Sequence, residues 1–419
     1  MHSHTTRLQA LVAFAVLLGA LPASAQQSSI RVQCPASTDL HPGGTAPDGS
    51  AIECLHVSAG DGFATMADGK PLYVFSFAPL SIVDVDSTTP GIQVDPEQMM
   101  ADGMLAANIP APTIFVDEGD ELYLTMTNVG MPIRPDLADP HSIHWHGFPQ
   151  ASAVFDGVPE ASITTNMGAS FTYYYLAHDP GTYLWHCHVE ATEHIQMGMI
   201  GNLYVRPRQN RCLTLGNGPC PPGHLAGHKY AYNDGDGSTR YDVAVPILIT
   251  SMDPVFHDAS ATVQPLPFAD MRDTYFLLNG RGYPDTVDTA CLPQTVYPDI
   301  GESNGQSQCV SSLIQAPPNN RVLLRLSNVS VTEYVTIGTV GIPMLVVGRD
   351  ARLLRGDNGV NQHYWTNSVT LGGGESADAI IDTTGLTSGQ KYFLYAKNLH
   401  FLSNDAENFG GAMTEIWIQ

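Results

Sequence analysis

Two short stretches of the chain hold imidazole and sulfur side chains at spacings that suit a metal site. The first is His141-Ser-Ile-His-Trp-His-Gly147. The second, residues 181–199, contains Trp-His-Cys-His at 185–188, followed by His194 and Met199. Nitrogen ligands combined with soft sulfur suit copper, and two histidines, one cysteine and a weak axial methionine form blue-copper electron-transfer sites. Copper is therefore the predicted cofactor.

The alternation of side chains along a β-strand predicts a face that is lined by histidines. His144 and His146 are two residues apart, so they point to one side of a strand, and so do His186 and His188. Two such strands lying side by side would bring four imidazoles together. We expect this face to form part of a polynuclear copper site.

The opposite face of the second strand holds the thiol. Cys187 lies between two histidines, so its side chain points away from the histidine face. His194 and Met199 follow closely enough to fold back to it, and His141 can turn towards it. The sequence thus predicts a mononuclear copper site whose cysteine is covalently joined to residues of the multi-histidine site. Electrons could pass along this path.

The elements that must position these residues are short strands. Leu122, Leu124 and Met126 alternate with Tyr123, Thr125 and Thr127, which is the period of a half-buried strand. Residues 171–176 and 203–205 also favour strands, and the sequence shows no long amphipathic helical pattern. With 39 glycines and 30 prolines in the chain, these short strands indicate an all-β protein built of sandwiches.

An internal repeat with an offset of 200 residues predicts two copies of one sandwich. The pattern of residues 120–129 recurs at 320–329. A second correspondence lies near the end of each domain, where Leu184-Trp185 recurs as Leu394-Tyr395 and residues 198–203 recur at 411–416. We therefore expect a signal peptide at 1–25, a copper-binding domain at 26–208, a linker at 209–235 and a second domain at 236–419.

The second copy lacks the copper motifs. Ala396-Lys397-Asn398 stands where the first copy has His-Cys-His, and Ala412 stands in place of the methionine. His363 and His400 are more typical of surface or loop positions than of ligands. Domain 2 is predicted to be a structural or assembly domain.

These motifs resemble those of the multicopper oxidases, in particular the two-domain, laccase-like kind with type 1 copper in domain 1, and the chain is also similar to copper nitrite reductases. Supporting features are Pro112-Thr-Ile114, Glu118-Gly-Asp120, Asp156-Gly-Val-Pro159 and Gly181-Thr-Tyr183. The resemblance implies two cupredoxin-like Greek-key β-sandwich domains. It implies type 1 copper ligands at His141, Cys187, His194 and Met199. It also implies type 2/type 3 copper ligands at His144, His146, His186 and His188. Cys187, His194, His186 and His188 would then carry the catalytic electrons.

The sequence departs from the family pattern in two ways. Seven residues separate Cys187 from His194, which is longer than in three-domain laccases and shorter than in copper nitrite reductases, so we expect a longer ligand loop. The four cluster histidines are also only half of the family's set. Another subunit would have to supply the rest, and a two-fold pairing of two copies of domain 1 is one such arrangement. A homo-oligomer is therefore expected.

Three functions remain open at this point. The first is an oxidase that takes single electrons from a phenolic or metal-ion reductant at the type 1 copper, reached through a surface position near His194, and passes them to dioxygen. The second is a nitrite-reductase-like enzyme. The third is a blue-copper electron carrier or copper-binding protein with an incomplete cluster.

Composition and charge restrict the partners and the compartment. The net charge is −23, with 18 basic and 41 acidic residues, which argues against nucleic acid and anionic membranes as partners. Arg7, the apolar run from Leu8 to Leu21 and Ala23-Ser-Ala25 are typical of a secretory signal peptide, so a secreted or periplasmic protein is expected.

Seven cysteines in an exported chain leave one without a partner. Cys34 with Cys54, Cys212 with Cys220, and Cys291 with Cys309 are plausible local disulfides, although the sequence alone does not prove the pairing. The remaining cysteine is Cys187, which a bound metal would protect from oxidation.

Overall fold

The structure is a computed structural model, and it describes residues 30–85, 92–211, 220, 224–225, 227–293 and 306–419. The predicted signal peptide at 1–25 lies outside the described residues. So does Cys212, and with it the predicted bridge to Cys220.

The first half of the described chain forms ten strands and two short helices. The strands are β1 (Ile30–Val32), β2 (Ile52–Thr65), β3 (Pro71–Pro79), β4 (Ile92–Val94), β5 (Ala111–Asp117), β6 (Glu121–Gly130), β7 (His144–His146), β8 (Ser170–Leu176), β9 (Gly181–His186) and β10 (Ile200–Arg206). The helices are α1 (Pro96–Gly103) and α2 (Ala191–Gln196).

These strands build two four-stranded sheets that pack face to face. One sheet has the order β3-β2-β6-β8 and the other β5-β10-β9-β7, while β1 and β4 pair separately. The core between the sheets is rich in aromatic side chains, among them Phe63, Phe75, Trp145, Tyr173 and Trp185. Cys187 and Met199 belong to the same core, so the sulfur ligands lie inside the sandwich.

The second half of the chain forms sixteen strands and one helix. The strands are β11 (Lys229–Tyr230), β12 (Arg240–Tyr241), β13 (Val243–Met252), β14 (Tyr275–Leu278), β15 (Leu292–Pro293), β16 (Gln306–Ser307), β17 (Ile314–Ala316), β18 (Arg321–Asn328), β19 (Val335–Val340), β20 (Met344–Arg349), β21 (Arg352–Leu353), β22 (Tyr364–Thr366), β23 (Ser368–Leu371), β24 (Ser376–Asp382), β25 (Lys391–Ala396) and β26 (Met413–Ile418). The helix is α3 (Pro254–Ala261).

A second sandwich results, whose topology repeats that of the first. One sheet contains β14-β13-β18-β24-β20-β21 with β22 on β20, and the other contains β17-β26-β25-β19-β23. In both halves the central strand, β6 or β18, is parallel to one neighbour and antiparallel to the other. The last strand, β10 or β26, follows the same rule. The repeats predicted at 120–129 and 320–329 fall on β6 and β18.

Strand β6 is more deeply buried than its sequence pattern predicted. Leu122, Leu124 and Met126 of β6 point into the core as expected, but Thr125 and Thr127, on the other face, are buried as well. On this face the buried ring of His56 contacts the Thr127 hydroxyl at 2.9 Å. The buried hydroxyls are satisfied because Thr125 pairs with Thr172 at 2.8 Å and Thr127 with Ser170 at 2.7 Å.

Two disulfides lie in the described part of the chain. Cys34 is bonded to Cys54, and Cys291 is bonded to Cys309, as predicted. Cys187 is the free cysteine there, and it is buried. Among the described residues, no helix combines the length and the apolarity that crossing a membrane requires.

Candidate metal centres

The pairing of β7 with β9 brings the two predicted motifs together. His144 lies opposite His186, Trp145 opposite Trp185, and His146 opposite Leu184. The two tryptophans point into the core, and both are fully buried. Their burial fixes the register, because a shift by one residue would turn the tryptophans outward and the histidines inward.

The sulfur site forms where β9 ends. The Nδ1 atom of His194 lies 3.2 Å from the Sγ atom of Cys187, and the Nδ1 atom of His141 lies 3.9 Å from it. All three residues are buried and can offer their ligand atoms to one ion. Met199 is fully buried in the same core, and its backbone carbonyl accepts a hydrogen bond from the Cys187 N–H at 3.1 Å.

The longer interval between Cys187 and His194 is folded as a helical turn. Glu190 adopts a left-handed backbone conformation, and α2 begins directly after it. The N–H of His194 donates to the Glu190 carbonyl at 3.1 Å, and the N–H of Met199 donates to the His194 carbonyl at 2.9 Å. The longer interval therefore still brings the ligands together, because the helical turn directs His194 back towards Cys187.

The nitrogen atoms that face the sulfur can hold a metal ion together with it. They are the Nδ1 atoms of His141 and His194, which lie 3.9 Å and 3.2 Å from the Cys187 sulfur. A backbone N–H, that of Ser142, points at the Cys187 sulfur from 3.4 Å. Hydrogen bonds to the cysteine sulfur tune the potential of blue-copper sites. The donor set and its burial fit a type 1 copper.

Electrostatics distinguish the two histidines of this site. Burial and the neighbouring His194 hold the pKa of His141 well below its ordinary value of 6.5. Burial also lowers the pKa of His194, but the neighbouring Cys187 and Asp139 outweigh it and raise the pKa to about 10. The Asp139 carboxylate lies 3.9 Å from the Nε2 atom of His194. A metal ion that binds His194 would have to displace its proton, because neutral imidazole is the metal-binding form.

The histidine face forms on the other side of β9. The ring centre of His144 lies 5.2 Å from that of His186 and 5.0 Å from that of His188. The Nδ1 atom of His146 lies 3.4 Å from the Nε2 atom of His186. Nitrogen atoms of His144, His146 and His186 can all reach one ion, whereas His188 is outside this group. The structure thus brings all four predicted histidines onto one face, but three of them converge more closely.

Hydrogen bonds to backbone carbonyls orient two of these rings. The Nδ1 atom of His144 donates to the Asp156 carbonyl at 2.6 Å, and the Nδ1 atom of His186 donates to the Cys187 carbonyl at 2.7 Å. Both rings therefore keep Nε2 free for a metal, since such partners fix the tautomer. Burial lowers the pKa of His186 to about 3 and also lowers the pKa of His144 and His146. Neutral imidazoles are the metal-binding form.

The histidine face borders a cavity of about 300 Å³ between the two sandwiches. Its other wall comes from domain 2 and contains Val329, Ser330, Val331, Gly373 and Gly374. None of these side chains is a histidine. His363, which is half-buried, and His400, which is exposed with its ring 4.2 Å from that of Phe401, are not among the residues that line this cavity.

Some contacts at the sites were not predicted from the sequence. His194 was expected near the surface, but it is fully buried, and Asp139 is the partly exposed group beside it. The carbonyl of Asp156 orients His144. The glycine that follows Asp156 in the sequence could have indicated this turn. A Cβ atom at residue 157 would lie 2.1 Å from the Ile143 carbonyl oxygen. Only glycine fits this turn.

Comparisons with known proteins agree with the fold and with the family that the motifs resemble. Family models described as multicopper oxidase match residues 91–210 and residues 258–418. The multicopper oxidase MmcO of Mycobacterium tuberculosis is 40% identical over 244 residues, which are 58% of this chain and 41% of the relative. The solved multicopper oxidase mgLAC has a TM-score of 0.60 at 20% identity, covering 88% of this chain and 87% of its own. The copper nitrite reductase of Nitrosomonas europaea has a TM-score of 0.52 at 16% identity, covering 88% and 94%.

The fold and the paired sites define a copper-binding protein made of cupredoxin sandwiches. The two family-model matches together span well over half of the chain, and the chain belongs to the multicopper oxidase family. The matched part spans less than half the length of the curated relatives.

Proposed function

We propose that the chain is a copper-dependent oxidase that accepts electrons one at a time at the Cys187 site and transfers them to dioxygen. The convergence of His141, Cys187 and His194 in the buried core is the observation that supports this proposal most directly. Met199 would complete the type 1 ligand set. Copper bound there supplies one-electron redox chemistry, since it cycles between two oxidation states without leaving its ligands.

The Cys187 site is preorganised for electron transfer. Burial of the ligands excludes water, and the Ser142 N–H stabilises negative charge on the Cys187 sulfur. Because α2 and the end of β9 fix the ligands from two sides, their positions would change little when a bound copper ion gains or loses an electron. A rigid, dry site lowers the reorganisation that electron transfer requires.

A short path leads from the sulfur to the histidine face. Cys187 is bonded through the backbone to His186, and the His186 Nδ1–H also donates to the Cys187 carbonyl at 2.7 Å. A covalent route and a hydrogen-bonded route therefore join the same two residues. Electrons received at the sulfur would reach the cavity of about 300 Å³, which has room for dioxygen.

Asp139 marks the side from which a reductant would approach. His194 itself is buried, so a substrate cannot touch it directly, but the Asp139 side chain is 22% exposed and lies 3.9 Å from its Nε2 atom. A carboxylate can accept a hydrogen bond from a phenol or bind a metal ion. This supports a phenolic or metal-ion reductant. We also propose a secreted or periplasmic location, because disulfides persist in oxidising compartments.

The experiment follows the thiolate–copper colour of the full-length, copper-loaded protein. A reductant should bleach the visible band, and dioxygen should restore it. His186→Ala should leave the band and its bleaching intact but slow its return, because it interrupts the path to the cavity. His178→Ala is the control, since that side chain is 67% exposed and lies away from both sites. A band that does not return under dioxygen in the unmodified protein would contradict the proposal.

A nitrite-reductase-like enzyme is the second candidate, favoured by the structural similarity to the copper nitrite reductase. Restoration of the colour by nitrite instead of dioxygen would support it. Failure of both acceptors would favour the third possibility, a blue-copper electron carrier.

A further inference from the structure

The family's trinuclear cluster does not fit the histidine face of one chain, since four histidines are present and the described wall opposite them offers none. We infer that this face instead binds a single copper ion through His144, His146 and His186, and that domain 2 of the same chain closes the site. The inference rests on the proposed function for the identity of the metal.

The spacing of the nitrogen atoms supports one ion. Two ligand nitrogens on one ion, each at about 2.0 Å, lie roughly 2.9 to 3.4 Å apart. The 3.4 Å between the Nδ1 atom of His146 and the Nε2 atom of His186 falls in that range. A nitrogen of His144 lies within 4.8 Å of both, so the three residues can offer their ligand atoms to one ion.

Domain 2 occupies the space beside His146. Gly374 packs so closely that a Cβ atom added there would meet the His146 Nε2 atom at 2.6 Å. The atom of His146 that faces His186 is Nδ1, which lies 3.4 Å from the His186 Nε2 atom. Domain 2 therefore packs on the Nε2 side of the ring, away from the nitrogen that the three-histidine site needs.

The loop at 373–374 also limits how another subunit could contribute ligands to the histidine face. A two-fold pairing of two copies of domain 1 would have to place a second histidine face where the loop at 373–374 now lies. Domain 2 would have to move away for that pairing. The wall instead supplies the hydroxyl of Ser330, which is buried in the cavity lining and has no hydrogen-bond partner. It can hold a water molecule or an oxygen ligand opposite the three histidines.

Copper counting on the full-length protein tests the inference. The mass in solution gives the number of protomers, and total copper is compared with the copper that is visible by electron paramagnetic resonance. We expect two copper ions per protomer, both visible, one with the type 1 signal and one without it. More than two ions per protomer, or copper that is invisible because two ions are magnetically coupled, would overturn the inference.

A matched pair of glycine variants tests the role of domain 2. Gly374 and Gly389 have nearly the same backbone conformation, with φ of +91° and +92°, but nothing lies within 4 Å of a Cβ atom at Gly389. Both alanine variants carry the same backbone strain. Gly374→Ala should weaken binding of the non-blue copper at least tenfold, whereas Gly389→Ala should not change it. Equal copper affinity in the two variants would contradict closure by domain 2.

Histidine variants separate this inference from the proposed function. His146→Ala should remove the non-blue copper and leave the blue band unchanged, and His188→Ala should retain both ions because His188 lies outside the three-residue group. Loss of the non-blue copper in His188→Ala would overturn the three-histidine assignment. Absence of the blue band in the unmodified protein would instead refute the proposed function.

Discussion

Cys187 shows how a single buried residue can connect two sites. Its sulfur faces His194 and His141, while its carbonyl oxygen accepts a hydrogen bond from the Nδ1–H of His186. Cys187→Ser keeps the size of the side chain but replaces the soft sulfur donor with oxygen. We expect complete loss of the intense visible band and of turnover, measured by absorption spectroscopy and oxygen uptake. An intense band that survives this substitution would contradict the assignment of the thiolate as a ligand.

Met199 tests the axial position of the same site. Met199→Leu nearly conserves volume in a fully buried position, so the packing should be retained at a cost below about 1.5 kcal/mol. Removal of a weak donor destabilises oxidised copper more than reduced copper, so the reduction potential should rise while the blue colour remains. A redox titration followed at the visible band measures this. A lower potential would place another group at the axial position.

The ligand types were predictable from the sequence, because the alternation of strand residues and the cysteine count are local properties. The groups that surround the ligands were not. Asp139 and the Ser142 N–H reach His194 and Cys187 through the folding of loops. His194 was expected near the surface but is buried. Its position depends on how α2 packs, and residues distant in sequence decide that packing, such as Phe75, whose ring lies 6.0 Å from that of His194.

At the scale of elements, domain 2 contacts the first residues of strand β9. The contact is at Thr182, four residues before His186. The Thr182 hydroxyl donates to Asp378 at 2.6 Å and accepts from Arg325 at 3.0 Å, and all three residues are buried. Ser376 also donates to the Thr182 carbonyl at 2.6 Å. A buried ion pair in one sandwich is thus completed by a strand of the other.

Thr182→Val should reveal the contribution of this contact. The substitution keeps the shape but leaves two buried charged groups with one partner fewer, which costs about 1.5–3 kcal/mol. Urea unfolding of the metal-free protein measures the loss. Thr384→Val is the control, because Thr384 is exposed and such surface changes stay within about 0.5 kcal/mol. Equal losses in the two variants would mean that the interdomain contact contributes nothing.

Helix α3 supplies a second contact between the halves, through His257. Its Nδ1 atom lies 2.5 Å from the Tyr73 carbonyl oxygen and its Nε2 atom 3.0 Å from the Gln196 carbonyl oxygen. Burial lowers the pKa of His257, and the two facing carbonyl oxygens together with the carboxylates of Asp253 and Asp273 offset this only in part. The folded protein therefore binds this proton less readily than the unfolded chain, whose histidine titrates near its ordinary value of about 6.5.

This difference predicts the direction of a pH effect. Below about pH 6.5 the unfolded chain binds more protons, so the free energy of unfolding should decrease as the pH falls, by up to about 1.4 kcal/mol per pH unit for one such group. His257→Gln should make the metal-free protein less sensitive to pH between 7 and 5, whereas Thr384→Val, at an exposed residue that does not titrate, should not. Identical slopes in urea unfolding for His257→Gln and the unmodified protein would contradict this role.

The repeat of strands β6 and β18 was predictable because the same apolar spacing occurs twice in the sequence. The covering of Thr125 and Thr127 was not, because segments distant in sequence bury that face of β6. The contact between Gly374 and His146 is of the same kind, since it joins residues from different sandwiches. Local patterns predict which elements form, whereas the packing of one half on the other depends on pairings that no local pattern contains.

At the scale of the whole molecule, the number of copper ions limits how many electrons one protomer can hold. If one protomer holds two ions, as inferred above, it stores two electrons. Two electrons and two protons convert one dioxygen molecule to hydrogen peroxide, whereas water formation needs twice as many electrons.

We therefore expect two equivalents of a one-electron reductant to be consumed per dioxygen, with hydrogen peroxide accumulating in equal amount. An oxygen electrode and a peroxide assay measure both quantities on the full-length, copper-loaded protein. Catalase added at the end should return half of the oxygen that was consumed, because it converts two peroxide molecules to one dioxygen and two waters. A ratio of four reductant equivalents per dioxygen with no oxygen returned would show that electrons are pooled beyond two ions. In that case further copper, from this chain or from another subunit, must complete the histidine face.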